Sequence, residues 1–387
     1  MKQLLLLSLI ILGTGCQKDF CQQSPYTPPP DTRDGLQVGS LENVHMDQQK
    51  ICKAAERIRN GKYGEIHSML IYKDAMLVFE DYYDGHQYQW DAPGHLGDYI
   101  TWDRDTQHCI QSDTKSFVSL CIGIAIDRGY IESVHQSIFD YLPEYQHFRT
   151  PENEKITIEH LLTMTSGLDW KEWGVSLGSI QNDQIGIWFW EDGPMNYVLS
   201  RDVVAEPGTR FNYSGGDIQI LVEILRNATG MTVNEFSGTC LFEPMDIGSY
   251  DWWLVFASGQ VQGAGGLKLT PRDMVKTGAI MLNQGAWNDS RIVSEEWVDK
   301  CMIPYAGNTG IKVPGEDLGR LGYGYTWWTK SFTYGGENIG MYLAIGWGGQ
   351  KIMVLPELDM VVVFTGANYD KNEHQFEILE KFILSAI

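Results

Sequence analysis

The chain has 387 residues, 43% of them hydrophobic and 20% charged, with 13 Trp and a formal net charge of −21. That length provides for one large domain or two small ones, with ample material for a core. Such acidity, with no basic stripe to offset it, argues against a nucleic-acid partner and disfavours anionic substrates.

The first residues read as an export address. Met1-Lys2-Gln3 leads into an apolar stretch from Leu4 to Leu12, too short to span a bilayer, followed by Gly13-Thr14-Gly15-Cys16. This resembles a bacterial lipoprotein signal, which implies that residues 1–16 are a signal peptide ending at Cys16 as the lipidated residue. One position departs from that pattern: Gly13 stands where leucine is preferred. The implied location is the bacterial cell envelope, with a membrane-anchored protein facing the periplasm or the cell surface. Residues 17–45 are polar and proline-rich, including Pro28-Pro29-Pro30, and read as an extended tether. The folded domain is then 46–387. Export permits disulfides among the other cysteines, but their spacing fixes no pairing.

Within that domain, Asp47 to Asn60 is patterned as a helix. His67 to Tyr72 and Ala75 to Tyr82 form a β-hairpin about Lys73-Asp74. A nearly all-apolar helix follows from Ser112 through Ile126. Thr157 caps a helix over Ile158 to Met164 that Gly167 stops, and Asp217 to Asn227 is amphipathic. Thr270-Pro271 opens another helix, to Leu282, and Ser294 caps the next. Strand patterns return at Tyr323 to Lys330, Met341 to Ile345, Lys351 to Leu355 and Met360 to Thr365. Strands at both ends with helices between predict an α+β fold. One antiparallel sheet would join the N- and C-terminal strands, with an inserted, mostly helical region packed on it and a site in the cleft between them.

Ser112-Asp113-Thr114-Lys115 is the chain's single S-x-x-K. Residues three apart share a helix face, so the amine of Lys115 can lie over the hydroxyl of Ser112. A serine needs a base to become a nucleophile, and burial favours the neutral amine that can act as one. The backbone N–H of Ser112, in the helix's first turn, is free to face an oxyanion. Tyr213 sits in a turn-rich segment, Pro207 to Asp217, from which its phenol can be aimed into a cleft. A nearby ammonium would ease loss of its proton. The glycines of Gly346-Trp347-Gly348-Gly349-Gln350 mark a strand end that something approaches closely.

These segments, in this order, resemble the serine β-lactamase and penicillin-binding-protein superfamily. The nearest branch is the class-C-like one of esterases, D-aminopeptidases, carboxypeptidases and 6-aminohexanoate-oligomer hydrolases. The likeness also takes in His160 to Leu168, Pro207-Gly208-Thr209 and Gly265-Gly266-Leu267. It implies a β-lactamase/transpeptidase-like fold and an acyl-enzyme on Ser112, with Lys115 and Tyr213 in proton transfer. The backbone N–H groups of Ser112 and Trp347 would form the oxyanion hole, and no cofactor or metal is implied. Two departures bear on substrate. The family's Tyr-x-Asn reads Tyr213-Ser214-Gly215, without the amide. The strand motif that usually carries Lys or His reads Ala344-Ile345-Gly346, without the cation that holds a substrate carboxylate. Arg320 and Lys351 are the candidates to replace it.

The expected substrate is therefore a small neutral or cationic ester, amide or peptide-like molecule. The alternatives are a β-lactamase or D-Ala-D-Ala carboxypeptidase, and a catalytically silent binding or sensor protein on the same fold. Gly174-Val175-Ser176-Leu177-Gly178 offers a second nucleophile pattern, but lacks the preceding strand that a nucleophile elbow requires. His108 and His160 read as histidines satisfied by their surroundings, and no metal-ligand spacing occurs. Trp170, Trp173, Trp188 and Trp190 line a pocket or join the core.

Overall fold

A computed structural model describes residues 26–387. The candidate signal peptide, with Cys16, lies outside the described residues. The principal element is an eight-stranded antiparallel sheet. We label its strands β1 (Ile66–Lys73), β2 (Met76–Tyr82), β5 (Ile311–Lys312), β6 (Arg320–Tyr323), β7 (Trp328–Tyr334), β8 (Glu337–Gly346), β9 (Gln350–Leu355) and β10 (Met360–Gly366). Their order is β5-β6-β7-β8-β9-β10-β1-β2. The last strand thus pairs with the first, Met69 opposite Phe364, and closes the two ends of the chain into one sheet. Every residue of β1, β9 and β10 is buried, so both faces of the sheet's centre are covered. The hairpin β3 (Asp84–Tyr88) and β4 (Leu96–Thr101) was not anticipated; it stands apart as a two-stranded sheet.

Apart from α4 below, the helices form where their signals stood. Helix α1 (Gln48–Arg59) is capped by Asp47, and α2 (Thr114–Asp127) is buried from Thr114 to Ala125. Short helices α3 (Ile158–Leu162) and α4 (Asp183–Gly186) precede the long α5 (Gly215–Thr229), which Ser214 caps and left-handed Gly230 ends. Helix α6 (Pro271–Leu282) packs on β1, β9 and β10. Its Gly278 permits that approach, since a Cβ there would lie 2.4 Å from a Val361 methyl. Helix α7 (Glu295–Met302) is capped by Ser294.

Two expectations change. Residues 26–45 are irregular, ending in turns, but packed: Leu36, Leu41 and Val44 are buried in the core, and Val38 bridges Leu77. The packed unit therefore begins before Met46. The run Tyr323 to Lys330 is two strands, broken at Gly324–Trp327, where Thr326 takes a left-handed φ of 61°. That turn docks on α2: Ser119 and Ser116 donate to the Tyr325 and Thr326 carbonyls at 3.0 and 2.9 Å. Tertiary hydrogen bonds override the local strand pattern there.

Candidate active site

Ser112 lies in a tight turn, Gln111–Asp113, directly ahead of α2. Gln111 holds a left-handed φ of 50°, an unfavourable geometry for a residue with a side chain, and it sets the direction in which α2 starts. Strand β8 presses on this turn: a Cβ at Gly346 would lie 2.2 Å from the Ile110 carbonyl oxygen. The glycine-marked close approach is thus to the turn that carries Ser112.

Lys115 is buried, and its Nζ donates to Ser112 Oγ at 2.9 Å and to the Ala264 carbonyl at 2.7 Å. Its nearest carboxylates, Glu172 and Asp113, act on it through space without an ion-pair contact. Burial lowers its pKa to about 8, against the opposing pull of Glu172 and Asp113. A useful share of the amine is therefore neutral near pH 7–8. Asp113, wholly buried beside it, is pushed up to about 8 by burial, with Lys351 and Lys115 pulling the other way.

Tyr213 reaches the same point from the other side of the cleft. Its phenol lies near enough to the Ser112 hydroxyl for that group to lower its pKa, and its ring centroid is 4.8 Å from Lys115 Nζ. The loop bearing it is pinned to the segment after α3. Asn212 N donates to the Met164 carbonyl at 2.8 Å, and Ser166 and Ser214 donate to the buried Asp217 carboxylate at 2.8 and 3.0 Å. Gly167 lets that segment pass, since a Cβ there would meet the Ala205 carbonyl oxygen at 2.2 Å. Tyr213 stacks on Trp173, with ring centroids 4.8 Å apart, and on Trp328. One expectation reverses. Burial, then Glu172, raise the phenol's pKa, outweighing the Ser112 hydroxyl that lowers it, so the ring stays protonated at neutral pH.

Ser112 and Tyr213 open into a cavity of about 830 Å³ that Trp347, Ala264, Gly265, Glu172 and Gln184 also line. Trp347 directly follows β8, at the hairpin into β9. Of the four tryptophans left between pocket and core, Trp173 and Trp188 line the cavity and Trp170 is buried. Trp190 is partly exposed. Trp90 and Tyr88, from the β3–β4 hairpin, and Trp253 extend the aromatic wall.

Neither candidate cation is free. Lys351, buried on β9, donates to Glu316 at 2.8 Å and to Glu373 at 2.5 Å. Burial alone would lower its pKa, but the two glutamates hold it up. Arg320 is exposed on β6 and bonds to the Gly310 carbonyl. Ser176 sits in an exposed loop, its Oγ accepting from Gly178 N at 3.1 Å, and not at a strand-to-helix turn. His160 completes the cap of α3 by accepting from Thr157 N. His108 stacks on Trp102 at 3.8 Å beside a separate cavity of about 320 Å³ that Ser112 does not reach.

Three parts of the site escaped sequence reasoning. Glu172 accepts from Gly215 N at 2.7 Å and from Trp170 Nε1 at 2.9 Å. Ala264 offers only a backbone oxygen, and Gln184 comes from a four-residue helix. None belongs to a motif with fixed spacing. The acid amid tryptophans at Trp170-Lys171-Glu172-Trp173 was the one available hint.

The family pattern described as Beta-lactamase matches residues 67–385. A 6-aminohexanoate-dimer hydrolase of Paenarthrobacter ureafaciens is 25% identical over 290 residues, covering 72% of this chain and 71% of that one. Among solved structures, a putative beta-lactamase from Bacteroides dorei DSM 17855 aligns with a TM-score of 0.66 at 20% identity, over 87% of this chain and 99% of the other. A family VIII carboxylesterase aligns at 0.65 and 17% identity, over 86% and 96%. The last two likenesses concern the fold.

Proposed function

Since the chain belongs to the beta-lactamase family of serine hydrolases, we propose that it cleaves small neutral or cationic esters or amides through an acyl-enzyme on Ser112. The observation that carries this reading is the buried amine of Lys115, 2.9 Å from Ser112 Oγ and without a carboxylate in contact. Ser112 Oγ attacks the substrate's acyl carbon and its proton passes to neutral Lys115. The backbone N–H groups of Ser112 and Trp347 stabilise the oxyanion. The protonated phenol of Tyr213, beside Ser112, then relays a proton to the leaving group. Water attacks the ester so formed, with the same groups in reverse.

The preference against substrate carboxylates rests on the tied lysine. With Lys351 neutralised by Glu316 and Glu373, and Glu172 on the cavity wall, neither candidate cation is offered to a penicillin-type carboxylate; Lys371 also lines the cavity, among Asp370, Glu316 and Glu373. We further propose export and anchoring through a lipid on Cys16, which a Cys16→Ala variant tests by leaving the membrane fraction. Short-chain nitrophenyl esters, a chromogenic cephalosporin and D-amino-acid peptides offered to the purified protein test the activity. Ester turnover well above cephalosporin turnover, lost in Ser112→Ala, is expected. Efficient cephalosporin cleavage overturns the substrate assignment. Equal ester rates in wild type and Ser112→Ala point instead to a binding protein.

A further inference from the structure

Exposed apolar side chains scattered singly over a protein need no account, whereas a cluster of them does. Ten large ones are exposed among the described residues, and five of these, Trp90, Ile180, Phe189, Trp190 and Val255, lie at or beside the cavity that Ser112 lines. Ile180 and Phe189 are each 70% exposed, and Trp90 and Trp190 are 44% and 43% exposed. Trp90, from the β3–β4 hairpin, and Phe189, from the segment after α4, both line the cavity itself.

Contacts beneath the surface tie these residues together. Trp190 packs on Tyr197, with ring centroids 5.4 Å apart. A Cβ on Gly186 would lie 2.4 Å from the Tyr197 phenol oxygen and 2.9 Å from the Ile180 carbonyl oxygen, so Ile180 and Trp190 flank one buried ring. On the other side Trp188 meets Phe256, ring centroids 4.3 Å apart, and Val255 stands between Phe256 and the cavity-lining Leu254.

The surface is also without charge. From Trp173 to Trp190 the one charged residue is Asp183, which is buried and accepts from Lys171 N at 2.6 Å and from the Tyr197 phenol. Next to Trp90 and Trp190 in the chain stand Asp91, Glu191 and Asp192, all exposed. On a chain of net charge −21, an apolar patch beside such carboxylates is repelled by anionic surfaces and suits an uncharged one. Tryptophan rings are favoured where water meets hydrocarbon, and two of the five residues are tryptophans.

We propose that this patch docks the enzyme on its own substrate in aggregated form: droplets of an uncharged, sparingly soluble ester of the short-chain triacylglycerol type. The ester then enters the cavity between Trp90 and Phe189 without crossing bulk water. The substrate half of this inference rests on the hydrolase reading above; the docking half does not.

Tributyrin, and triacetin in solution, test it with the full chain carrying Cys16→Ala, so that no acyl chain on that residue contributes. Above its solubility limit tributyrin should be hydrolysed about fivefold or more faster than the rates below the limit extrapolate to, with no such break for dissolved triacetin. Ile180→Asp with Trp190→Asp, two residues that do not line the cavity, should abolish the break and leave triacetin turnover within about twofold. Adsorption separates docking from chemistry. With Ser112→Ala added, tributyrin droplets should still deplete the protein from the aqueous phase, and the double variant should stay dissolved. If circular dichroism shows the double variant unfolded, Ile180→Ser with Trp190→Ser replaces it. No adsorption, no break in an enzyme that turns over triacetin, or either one unchanged in the double variant overturns the inference. A dimer that the double variant dissolves also overturns it, since the patch then belongs to a second copy. Adsorption without ester turnover, or turnover that survives Ser112→Ala, overturns the hydrolase reading and leaves the docking surface standing.

Discussion

Two lysines lie buried near the turn of Ser112, and their surroundings give them opposite properties. Lys115 meets a hydroxyl and a backbone carbonyl, and burial brings its pKa down to about 8. Lys351 meets two carboxylates, and these hold its charge despite complete burial. Burial alone therefore does not assign a lysine its work. The first is a base in reserve and the second fixes β9 to the segment carrying Glu316 and to Glu373. An ammonium neutralised twice over is also lost to substrate recognition.

The largest expected effects separate these two roles. Lys115→Met should cost on the order of a thousandfold or more in kcat/KM for a nitrophenyl ester, in line with loss of the group that activates the nucleophile. It should melt at or above the wild-type temperature, because a buried amine without a counter-charge is replaced by hydrocarbon. Lys351→Met should destabilise by about 3 kcal/mol, measured by denaturant unfolding, since it strands two buried carboxyls. If Lys351→Met unfolds like wild type, or Lys115→Met keeps its activity, the contrast breaks.

Tyr213→Phe comes next. Loss of a general acid costs about a hundredfold or more in kcat, with little change in stability, because the ring still stacks on Trp173. The pH profile sharpens the comparison further. Lys115 must be neutral to accept the serine proton, so log kcat/KM should rise with pH below about 8 and flatten above it. Glu172 holds that pKa up, so Glu172→Gln should move the limb to lower pH. A limb that stays in place assigns it to another group.

The remaining prediction concerns Asp113, whose folded-state pKa of about 8 stands above its ordinary carboxyl value. Between those two values the folded protein holds a proton that the unfolded chain has released. Wild-type stability should therefore fall as pH rises from about 4 to 8 and level off above. Thermal melts of Asp113→Asn should lack that component.

Much of the fold was legible because its signals are local. Thr157, Thr270 and Ser294 cap the helices they precede, and the alternation around Lys73-Asp74 gives the hairpin. The convergence of Ser112 with Lys115 was legible because a three-residue spacing sets them one turn apart, and the tight turn holding Ser112 runs straight into α2. Tyr213 was placed only through resemblance, since no local rule brings residue 213 to residue 112. Glu172 and Gln184 were invisible for the same reason in stronger form. Their positions depend on how loops 169–190 fold across the start of α5, and no periodicity encodes that. The break at Thr326 was missed because hydroxyls on α2, far away in sequence, decide it.

The central claim is that Ser112 is a nucleophile served by neutral Lys115, and fluorophosphonate labelling followed by peptide mapping tests it most directly. The label should appear on Ser112, at a rate that climbs with pH up to about 8 and then levels, and the rate should become slow and flat in Lys115→Met. Label on Ser176, or Ser112 labelling indifferent to the loss of Lys115, would contradict it.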